Sequence, residues 1–256
     1  MSPMSPKTLR PRAGGFNPAS ISNLGAWWDF SDSSTVSLSL SAITSVTDKS
    51  GNSRTATQST GNNQPAIAAS VRNGRSAALF DGLNDALDVT WGAQQFTAIT
   101  LFAVVQPTGA GGGSLGRIYS RDGSGTFLNR ANASNAFSWS MPWTSATGNG
   151  SQRTADGSAS LNAWYLLSFR YTGGADVNAD VFLRVNRSFS TAALAGTRDT
   201  SSTSQSSTLN IGNRTLADGY DRGWQGHIGE LLIYTANLTA ANVSSVESYL
   251  AAKWGF

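Results

Sequence analysis

The sequence predicts an all-β protein, built as an antiparallel sandwich of two sheets with a single short helix at its C-terminus. Charged residues make up only 13% of the 256 residues, against roughly 25% in an ordinary soluble domain. The 27 glycines and eight tryptophans are typical of sheet proteins with many turns and aromatic anchors. About a dozen short apolar or β-branched runs are separated by turn-forming residues, as in sandwiches. The length suits one large β domain.

The predicted strands follow one another along most of the chain, with turn signals between them. The longest apolar run, 98–105, ends at Gln106-Pro107, and proline is confined to the ends or edges of strands. The pairs Asp122-Gly123 and Gly173-Gly174 are typical of hairpin turns. We expect strands in the segments 26–30, 42–47, 76–80, 86–90, 98–105, 117–121, 126–130, 137–141, 164–171, 181–186, 209–212 and 228–235.

One helix is predicted after the last strand. Thr239 is a suitable N-cap residue and Gly255 a suitable C-terminal stop, because a hydroxyl can accept from the first free N–H groups and glycine adopts the left-handed conformation. The apolar residues between them recur at helical spacing. This stripe, which we expect to pack on the sandwich, consists of Val243, Val246, Leu250 and Trp254.

The first twenty residues differ from the rest of the chain in charge and in proline content. Three basic residues lie there, and without them the chain has fifteen basic and fifteen acidic residues. Four of the seven prolines also lie there, which disfavours a helix and favours an extended segment. We therefore divide the chain into an extended basic arm, residues 1–20, and a domain, residues 21–256. The arm is either a disordered leader or a docking arm that orders against a partner protein, with contacts from Lys7, Arg10, Arg12 and Phe16.

The composition argues against several classes of function. With no cysteine, one histidine and two glutamates, thiolate, zinc–thiolate and most acid–base chemistries lack residues. No apolar run approaches the roughly 18 residues of a transmembrane helix, and the N-terminus lacks the apolar segment of a secretory signal. The neutral domain carries no basic stripe for nucleic acid. We therefore expect a protein that is neither an enzyme nor secreted, that has no membrane span and that binds no nucleic acid.

Two catalytic motifs can be weighed against structural alternatives. The segment 112–116 matches the G-x-S-x-G nucleophile motif at Ser114, with His227 downstream, but a strand rather than a helix is predicted after it, which favours a plain loop. Glu230 lies between apolar residues, as the acid of a glycoside hydrolase would, yet no second carboxylate follows on the same face of its strand. We favour a Glu230 that pairs with an arginine, and we assign no catalytic residue.

A carbohydrate site requires only aromatic rings for the apolar faces of sugars and polar groups for their hydroxyls. Two segments have this composition, the run 137–143 and the loop 218–224. Trp139 and Trp224 have a competing interpretation as core residues of their strands, which we favour. The candidate glycan-binding residues are Trp139, Trp143, Asp218, Tyr220, Asp221 and Arg222.

A calcium site is the one metal site that the sequence suggests. Asp176, Asn178 and Asp180 alternate as at the start of a calcium-binding loop. However, Val181 stands where such a loop needs glycine, and Arg187 where it needs a bidentate glutamate. A hairpin tip is therefore the favoured interpretation, and we assign no metal ligand and expect no cofactor, with calcium as the open alternative.

Several segments resemble concanavalin A-like lectin domains of the laminin-G type. They are FNPASISNLGAWWDFSD at 16–32, VTDKSGNSRTATQ at 46–58, NGRSAALFDG at 73–82, GHIGELLIY at 226–234 and KWG at 253–255. The resemblance covers residues 16–256 and implies a jelly roll of two packed antiparallel sheets, often with a carbohydrate-binding or adhesive role. It does not imply catalysis, because hydrolases on this fold carry Glu-x-Asp-x-x-Glu, whereas Glu230 is followed by LLIYT. Similar single domains occur in structural proteins of tailed phages.

Together these observations predict a non-catalytic virion structural protein of a phage, either a capsid decoration or a tail or fibre appendage. Its lectin-like jelly roll would face outward at the virion surface and aid adhesion to host glycans, while the arm would bind other virion proteins. By analogy with other virion appendages we expect a homo-oligomer, with a trimer favoured. The alternative is a stand-alone carbohydrate-binding lectin, and a third hypothesis is a glycoside hydrolase or lyase.

Overall fold

The described residues form twenty β-strands and one α-helix. The computed structural model describes residues 15–92, 98–121, 126–141, 150–153, 157–172, 181–189, 193–195, 208–216 and 219–256. The first ten strands are β1 Leu24–Asp29, β2 Val36–Ser39, β3 Ala42–Val46, β4 Ala56–Thr57, β5 Ala66–Arg72, β6 Arg75–Asp81, β7 Leu87–Thr90, β8 Ile99–Pro107, β9 Arg117–Arg121 and β10 Thr126–Ala131. The remaining elements are β11 Ala136–Met141, β12 Gly150–Arg153, β13 Tyr165–Tyr171, β14 Val181–Val185, β15 Ser188–Phe189, β16 Ala193–Ala195, β17 Thr208–Ile211, β18 Thr215–Leu216, β19 Gly219–Tyr220, β20 Gln225–Tyr234 and α1 Ala240–Trp254.

The strands form two antiparallel sheets. The first sheet runs in the order β5, β6, β20, β8, β13, β14 and β15, and β1 pairs with the C-terminal half of β20 beyond the end of β6. The second sheet runs in the order β4, β7, β17, β9, β10, β11, β12 and β16. Strand β3 pairs with β2, β4 and β5 and so joins the two sheets at one edge. The predicted jelly-roll sandwich is confirmed.

Strand β8 shows how the layers are arranged. Its residues Leu101, Ala103 and Val105 belong to the large core between the sheets, whereas Phe102 and Val104 point to the other face and pack beneath α1. Side chains alternate between the two faces of a strand, so a strand covered on both faces is apolar at every position. The long apolar run in the sequence therefore reflects a sheet buried between the second sheet and the helix.

The helix begins and ends where the sequence predicts. The Thr239 Oγ1 atom accepts a hydrogen bond from the Asn242 N–H at 3.2 Å, and Gly255 ends the helix with φ of +73°. The stripe from Val243 to Trp254 is buried on the first sheet. The ring of Trp254 packs so closely on Gly229 that a Cβ atom there would lie 2.5 Å from it. In the described part of the chain, no helix is long and apolar enough to span a membrane.

Residues 15–20, which the sequence assigns to the extended arm, contact the domain. Pro18–Ser20 forms a turn of 3-10 helix, and the Tyr234 hydroxyl donates to the Pro18 carbonyl at 3.0 Å. The ring of Phe16 lies 6.2 Å from the ring of Tyr249 on the helix. These residues are therefore part of the body of the molecule. The three basic residues of the predicted arm, Lys7, Arg10 and Arg12, lie outside the described residues, so the docking arm stays a prediction.

Candidate functional site

A row of polar side chains crosses the outer face of the second sheet. Asp88 lies on β7 between two residues that are buried in the core, so its side chain points outward. The neighbouring strands are in register with it: Thr57 lies opposite Asp88 on β4, and Asn210 lies opposite it on β17. Ser120 follows next to Asn210 on β9. The alternation along each strand thus places four polar groups side by side.

The row continues over β10 and β11 with groups that retain hydrogen-bonding capacity. Asn129 and Ser140 alternate with the core residues Leu128 and Trp139 and so face outward. Both are buried, yet neither the Asn129 Oδ1 atom nor the Ser140 Oγ atom has a hydrogen-bond partner among the described residues. Buried polar atoms without a partner are uncommon in folded proteins. Among the described residues, these two buried atoms on the outer face of the sheet therefore have hydrogen-bonding capacity that is not used.

A recess of about 380 Å³ lies at one end of the row, where β3, β4 and β7 meet. Hydroxyl, amide and carboxylate groups line it, and such groups can both donate to and accept from the hydroxyls of a ligand. Its lining residues are Thr44, Thr57, Gln58, Ser59, Gln64 and Asp88.

Hydrogen bonds hold the polar groups of the recess in place. The Asp88 Oδ1 atom accepts from the Asn210 amide at 2.6 Å, and Oδ2 accepts from the Tyr220 hydroxyl at 3.0 Å. The Gln58 amide donates to the same hydroxyl at 3.3 Å and to the Ala86 carbonyl at 3.1 Å. These hydrogen bonds therefore fix the orientation of the Asp88 carboxylate. Tyr220, on the short hairpin of β18 and β19, is half-buried beside the recess.

A cluster of arginines, which we call the arginine cluster (Arg117, Arg214 and Arg222), surrounds Asp221 just beyond Tyr220. Arg214 binds Asp221 through both oxygens, with Nε donating to Oδ1 at 2.7 Å and Nη2 to Oδ2. The Arg222 Nη1 atom lies 3.3 Å from Oδ2. The hydrogen bond from Arg214 lowers the pKa of Asp221, and partial burial opposes this effect. Asp221 is therefore ionised at neutral pH.

Arg117 lies beneath the other two arginines. Its Nη1 atom donates to the Ser120 Oγ atom of the polar row at 2.9 Å. Burial, together with the charges of Arg214 and Arg222 and against the opposing charge of Asp221, lowers the pKa of Arg117 to about 9. Arg117 is still protonated at pH 7. The cluster therefore places three positive charges near the carboxylate of Asp221.

The glycine run 111–116 holds the segment 221–224 in place. The Gly112 N–H donates to the Gly223 carbonyl at 2.8 Å, and the Arg117 N–H donates to the Arg222 carbonyl at 2.9 Å. A Cβ atom on Gly112 would lie 2.6 Å from the Gly223 nitrogen, so the close approach of the two loops requires glycine. Ser114 ends a 3-10 turn that leads into a strand. This geometry differs from the strand-to-helix turn that a nucleophilic serine needs.

Glu230, the candidate acid of a glycoside hydrolase, is fully buried between the first sheet and the helix. Its Oε1 atom accepts from the Trp27 indole at 2.7 Å and from the Tyr249 hydroxyl at 3.0 Å. Its Oε2 atom accepts from the Trp254 indole at 2.9 Å and forms an ion pair with Lys253 at 2.7 Å. The prediction that Glu230 pairs with an arginine is wrong, because its cationic partner is Lys253. With its oxygens occupied by these donors, Glu230 binds the helix to the sheet and faces no cleft.

Asp29 shares Lys253 with Glu230. The Lys253 ammonium lies 2.6 Å from the Asp29 Oδ2 atom, and Lys49 lies 3.1 Å from the same oxygen. Burial raises the pKa of Glu230, and the negative charge of Asp29 adds to this effect. For Asp29 burial acts in the same direction, but the charge and hydrogen bond of Lys253 outweigh it and hold the pKa below its usual value. Lys49 also pairs with Asp32, so three carboxylates and two lysines form a closed ionic network.

The structure brings only part of the predicted glycan-binding set together. The Tyr220 hydroxyl bonds to Gln58 and Asp88 of the recess, and the adjacent Asp221 and Arg222 form an ion pair within the arginine cluster. The prediction that Trp139 binds glycan is wrong. Its side chain is 1% exposed, and its ring stacks on that of Phe169 at 3.7 Å between centroids. Phe137, two residues earlier on the same strand, is also a core residue, so Trp139 packs inside the sandwich, as the competing interpretation holds. Trp224 is buried in the same core, and the remaining predicted residues, Trp143 and Asp218, lie outside the described residues.

Four residues of this region are absent from the sequence prediction. Asp88 carries a usable signal, because a charged residue alternates with apolar ones in the run Leu87–Thr90 and so marks the outer face of a strand. Gln58, Arg117 and Arg214 carry no such signal. Their proximity to Tyr220 and Asp221 arises only from the pairing of distant strands.

The predicted calcium loop, Asp176, Asn178 and Asp180, lies outside the described residues. Within the described ranges, no group of three or more His, Cys, Asp and Glu residues is arranged to hold a metal ion.

No protein-family model matches this chain, and no curated protein matches it. Solved structures of similar fold include the binding domain of botulinum neurotoxin serotype D (12% identity, TM-score 0.58, 88% of this chain and 52% of that chain). Domain 4 of AbnA, an extracellular arabinanase of Geobacillus stearothermophilus in complex with arabinotriose, also matches (16% identity, TM-score 0.53, 88% of this chain and 98% of that chain). A sialidase of Trypanosoma rangeli is similar as well (14% identity, TM-score 0.57, 98% of this chain and 36% of that chain). The chain spans about half the length of the toxin binding domains. At these identities the likeness is one of fold, and the chain is a β-sandwich domain of the architecture found in receptor-binding and carbohydrate-binding domains.

Proposed function

We propose that this protein is a non-catalytic glycan-binding module and that the recess at Asp88 is its binding site. One observation carries the proposal: Asp88 and Gln58 line an open recess of about 380 Å³, and the Tyr220 hydroxyl is hydrogen-bonded to both of them. This volume lies at the lower end of the range for small-ligand sites.

The chemistry of the recess suits the hydroxyls of a sugar. A carboxylate accepts strong hydrogen bonds from hydroxyl donors, and the Gln64 amide that lines the recess carries both donor and acceptor atoms. Tyr220 adds an aromatic ring, which can pack on the apolar face of a pyranose. None of the described residues that line the recess is a histidine or a second carboxylate, so the recess favours binding over bond cleavage.

The fold supports the same proposal. The arabinanase domain of this fold was solved in complex with arabinotriose, and the toxin domains of this fold are binding domains. The β-sandwich fold is what these domains have in common with this chain.

The test is a glycan array followed by calorimetric titration of the best ligand. We expect saturable binding to at least one glycan, and at least a tenfold loss of affinity in Asp88→Ala and in Tyr220→Ala. Asp32→Ala is the matched control, because Asp32 is a partly exposed carboxylate that pairs with Lys49 away from the recess. Binding that is unchanged in both recess variants would contradict the site, and an absence of binding to every glycan would contradict the function.

We further propose that the chain serves as a capsid decoration or a tail or fibre appendage of a phage, held at the virion surface by its N-terminal arm. The observation that supports this role is that the N-terminal segment and the recess lie on different faces of the sandwich. Pro18 and Ile21 pack on the helix side of the first sheet, whereas the recess lies at the outer face of the second sheet. An arm that leaves from the helix side leaves the recess free to face outward.

Mass spectrometry of purified virions tests this role. Because residues 15–20 contact the domain, the informative truncation removes residues 1–14. We expect the full chain to be present in the particles and the 15–256 chain to be absent from them. The unfolding temperature and glycan affinity of the 15–256 chain should equal those of the full chain. Equal incorporation of both chains would contradict the docking arm, and an absence of the full chain from virions would contradict the virion role.

A further inference from the structure

The recess has one charged side chain among its described lining residues, the carboxylate of Asp88. We propose that the recess is selective for glycans with a free amino group, whose protonated amine pairs with Asp88, over the corresponding N-acetylated and unsubstituted glycans. The inference rests on the proposed glycan-binding function and names the class of glycan.

Asp88 has hydrogen-bond donors but no counter-ion. Its oxygens accept from the Asn210 amide at 2.6 Å and from the Tyr220 hydroxyl at 3.0 Å, and both donors are neutral. Within the described ranges Asp88 forms no ion pair. Several other carboxylates do pair with a cation, namely Asp29, Asp221, Glu230 and Glu247. The half-buried Asp88 therefore keeps its charge available for a cationic ligand, and a charge-assisted hydrogen bond is stronger than a neutral one.

The two glutamines of the recess have already used most of their donors. The Gln58 amide nitrogen donates to the Ala86 carbonyl at 3.1 Å and to the Tyr220 hydroxyl at 3.3 Å, and its oxygen accepts from the Thr60 N–H at 3.0 Å. The Gln64 amide nitrogen donates to the Gln58 carbonyl at 2.8 Å. A side-chain amide has two N–H donors, so Gln58 has none left for a ligand and Gln64 has one, together with its oxygen.

The threonine hydroxyls of the recess are also in use as donors. Thr44 donates to the Ser37 carbonyl at 3.1 Å, and Thr57 donates to the backbone carbonyl of Asp88 at 3.5 Å. A hydroxyl that donates in this way still has lone pairs with which to accept. Among the described side chains that line the recess, the donors left for a ligand are one Gln64 N–H and the Ser59 hydroxyl, whereas Asp88, Gln64 and both threonines can accept. The recess therefore offers more acceptors than donors.

A sugar ammonium group matches this acceptor-rich lining. An ammonium group has three donors and no acceptor, and its positive charge supplies the counter-ion that Asp88 lacks. An N-acetyl group in the same position has one donor and an additional carbonyl acceptor, and a carboxylate has acceptors alone and repels Asp88. The members of the arginine cluster are not among the described residues that line the recess. An amine in the recess would therefore contact Asp88 rather than a guanidinium group.

The experiment compares three trisaccharides that differ only at C2 of each sugar: the β-1,4-linked trimer of glucosamine, its N-acetylated form and cellotriose. Calorimetric titration of the wild-type chain should show at least tenfold tighter binding of the glucosamine trimer, with an affinity that falls as the salt concentration rises. In Asp88→Asn, which removes the charge and keeps an acceptor oxygen, the three affinities should lie within about threefold of one another. Asp32→Asn is the matched control, because it removes a carboxylate that pairs with Lys49 away from the recess and should keep the preference. Unfolding temperatures verify that both variants fold.

The outcomes separate the two proposals. Equal affinity for the three trisaccharides, or an array whose best ligands lack a free amino group, would overturn the selectivity and leave the glycan-binding function intact. A preference for the glucosamine trimer that persists in Asp88→Asn would overturn the role of Asp88. Binding to none of the trisaccharides and to no glycan on the array would overturn both the selectivity and the proposed function.

Discussion

Two buried carboxylates of the sandwich have different surroundings. On the helix side, Glu230 is fully buried and accepts from two indoles, one hydroxyl and one ammonium group. In the loop between β6 and β7, Asp85 is 7% exposed, and within the described ranges its carboxylate accepts one hydrogen bond, from the Asp81 N–H at 2.9 Å. Burial, opposed by this hydrogen bond and assisted by the charge of Asp81, raises the pKa of Asp85 to about 6.

The contrast extends to the surroundings of each carboxylate. The network around Glu230 takes its donors from β1 and the helix, so it fixes how these elements pack on β20. Asp85, with one donor among the described residues, joins no such network. Buried polar groups stabilise a structure when their hydrogen bonds are satisfied and destabilise it when they are not. Burial of a carboxylate alone therefore does not show whether the residue stabilises the fold.

The largest expected effect comes from opening the closed network. Glu230→Ala would leave two indole N–H groups buried without their acceptor and would remove one of the two carboxylates that pair with Lys253, and we expect the free energy of unfolding to fall by about 3–5 kcal/mol. Urea denaturation measures this change. Glu230→Gln, which keeps one acceptor oxygen, should be less destabilising. Glycan affinity of the folded fraction should be unchanged, and a loss of stability below about 1 kcal/mol would contradict the structural role of Glu230.

A smaller effect, dependent on pH, is expected at Asp85. Its pKa of about 6 in the folded state exceeds the usual value of about 4, so between pH 4 and pH 6 the folded state binds more protons than the unfolded state. The free energy of unfolding should therefore fall as pH rises through this window. Asp85→Asn should remove this dependence and stabilise the protein at pH 7 by about 1–3 kcal/mol. Urea denaturation of both proteins at pH 4, 5, 6 and 7 tests both points. If the free energy of unfolding changed with pH in the same way for the wild type and for Asp85→Asn, the prediction that burial of the ionised Asp85 is unfavourable would be wrong.

The smallest effect concerns the cap of the helix that covers the closed network. Thr239→Ala removes the side-chain acceptor of the Asn242 N–H, and we expect a loss of about 1 kcal/mol in the free energy of unfolding. Ser245→Ala is the matched control, since its hydroxyl only donates to the carbonyl one turn earlier and its loss should be neutral or slightly stabilising. Equal effects of the two substitutions would show that the cap does not contribute.

The candidate site was predictable from the sequence only in part. The segment 220–222 stands out by composition, because aromatic, acidic and basic residues follow one another in a glycine-flanked loop. The prediction for Trp139 fails for a physical reason: the alternation of aromatic residues with serines shows that one face of the strand is buried, and Trp139 lies on that face. The same alternation rule, applied to Leu87–Thr90, would have identified Asp88 as an outward residue.

The sequence by itself determined the local elements of this protein: the strands with apolar runs, the capped C-terminal helix and the all-β class. These features depend on the spacing of neighbouring residues and on turn and cap chemistry, which act over a few positions. Strands without such runs, including β4 and β5, and the composition of the recess and of the arginine cluster were decided by the tertiary structure. The bond between Trp27 and Glu230, for example, spans 203 positions, and Gln58 meets Tyr220 across 162. Such pairs form because whole sheets bury their apolar faces together, and which polar groups then become neighbours depends on that packing rather than on any local pattern.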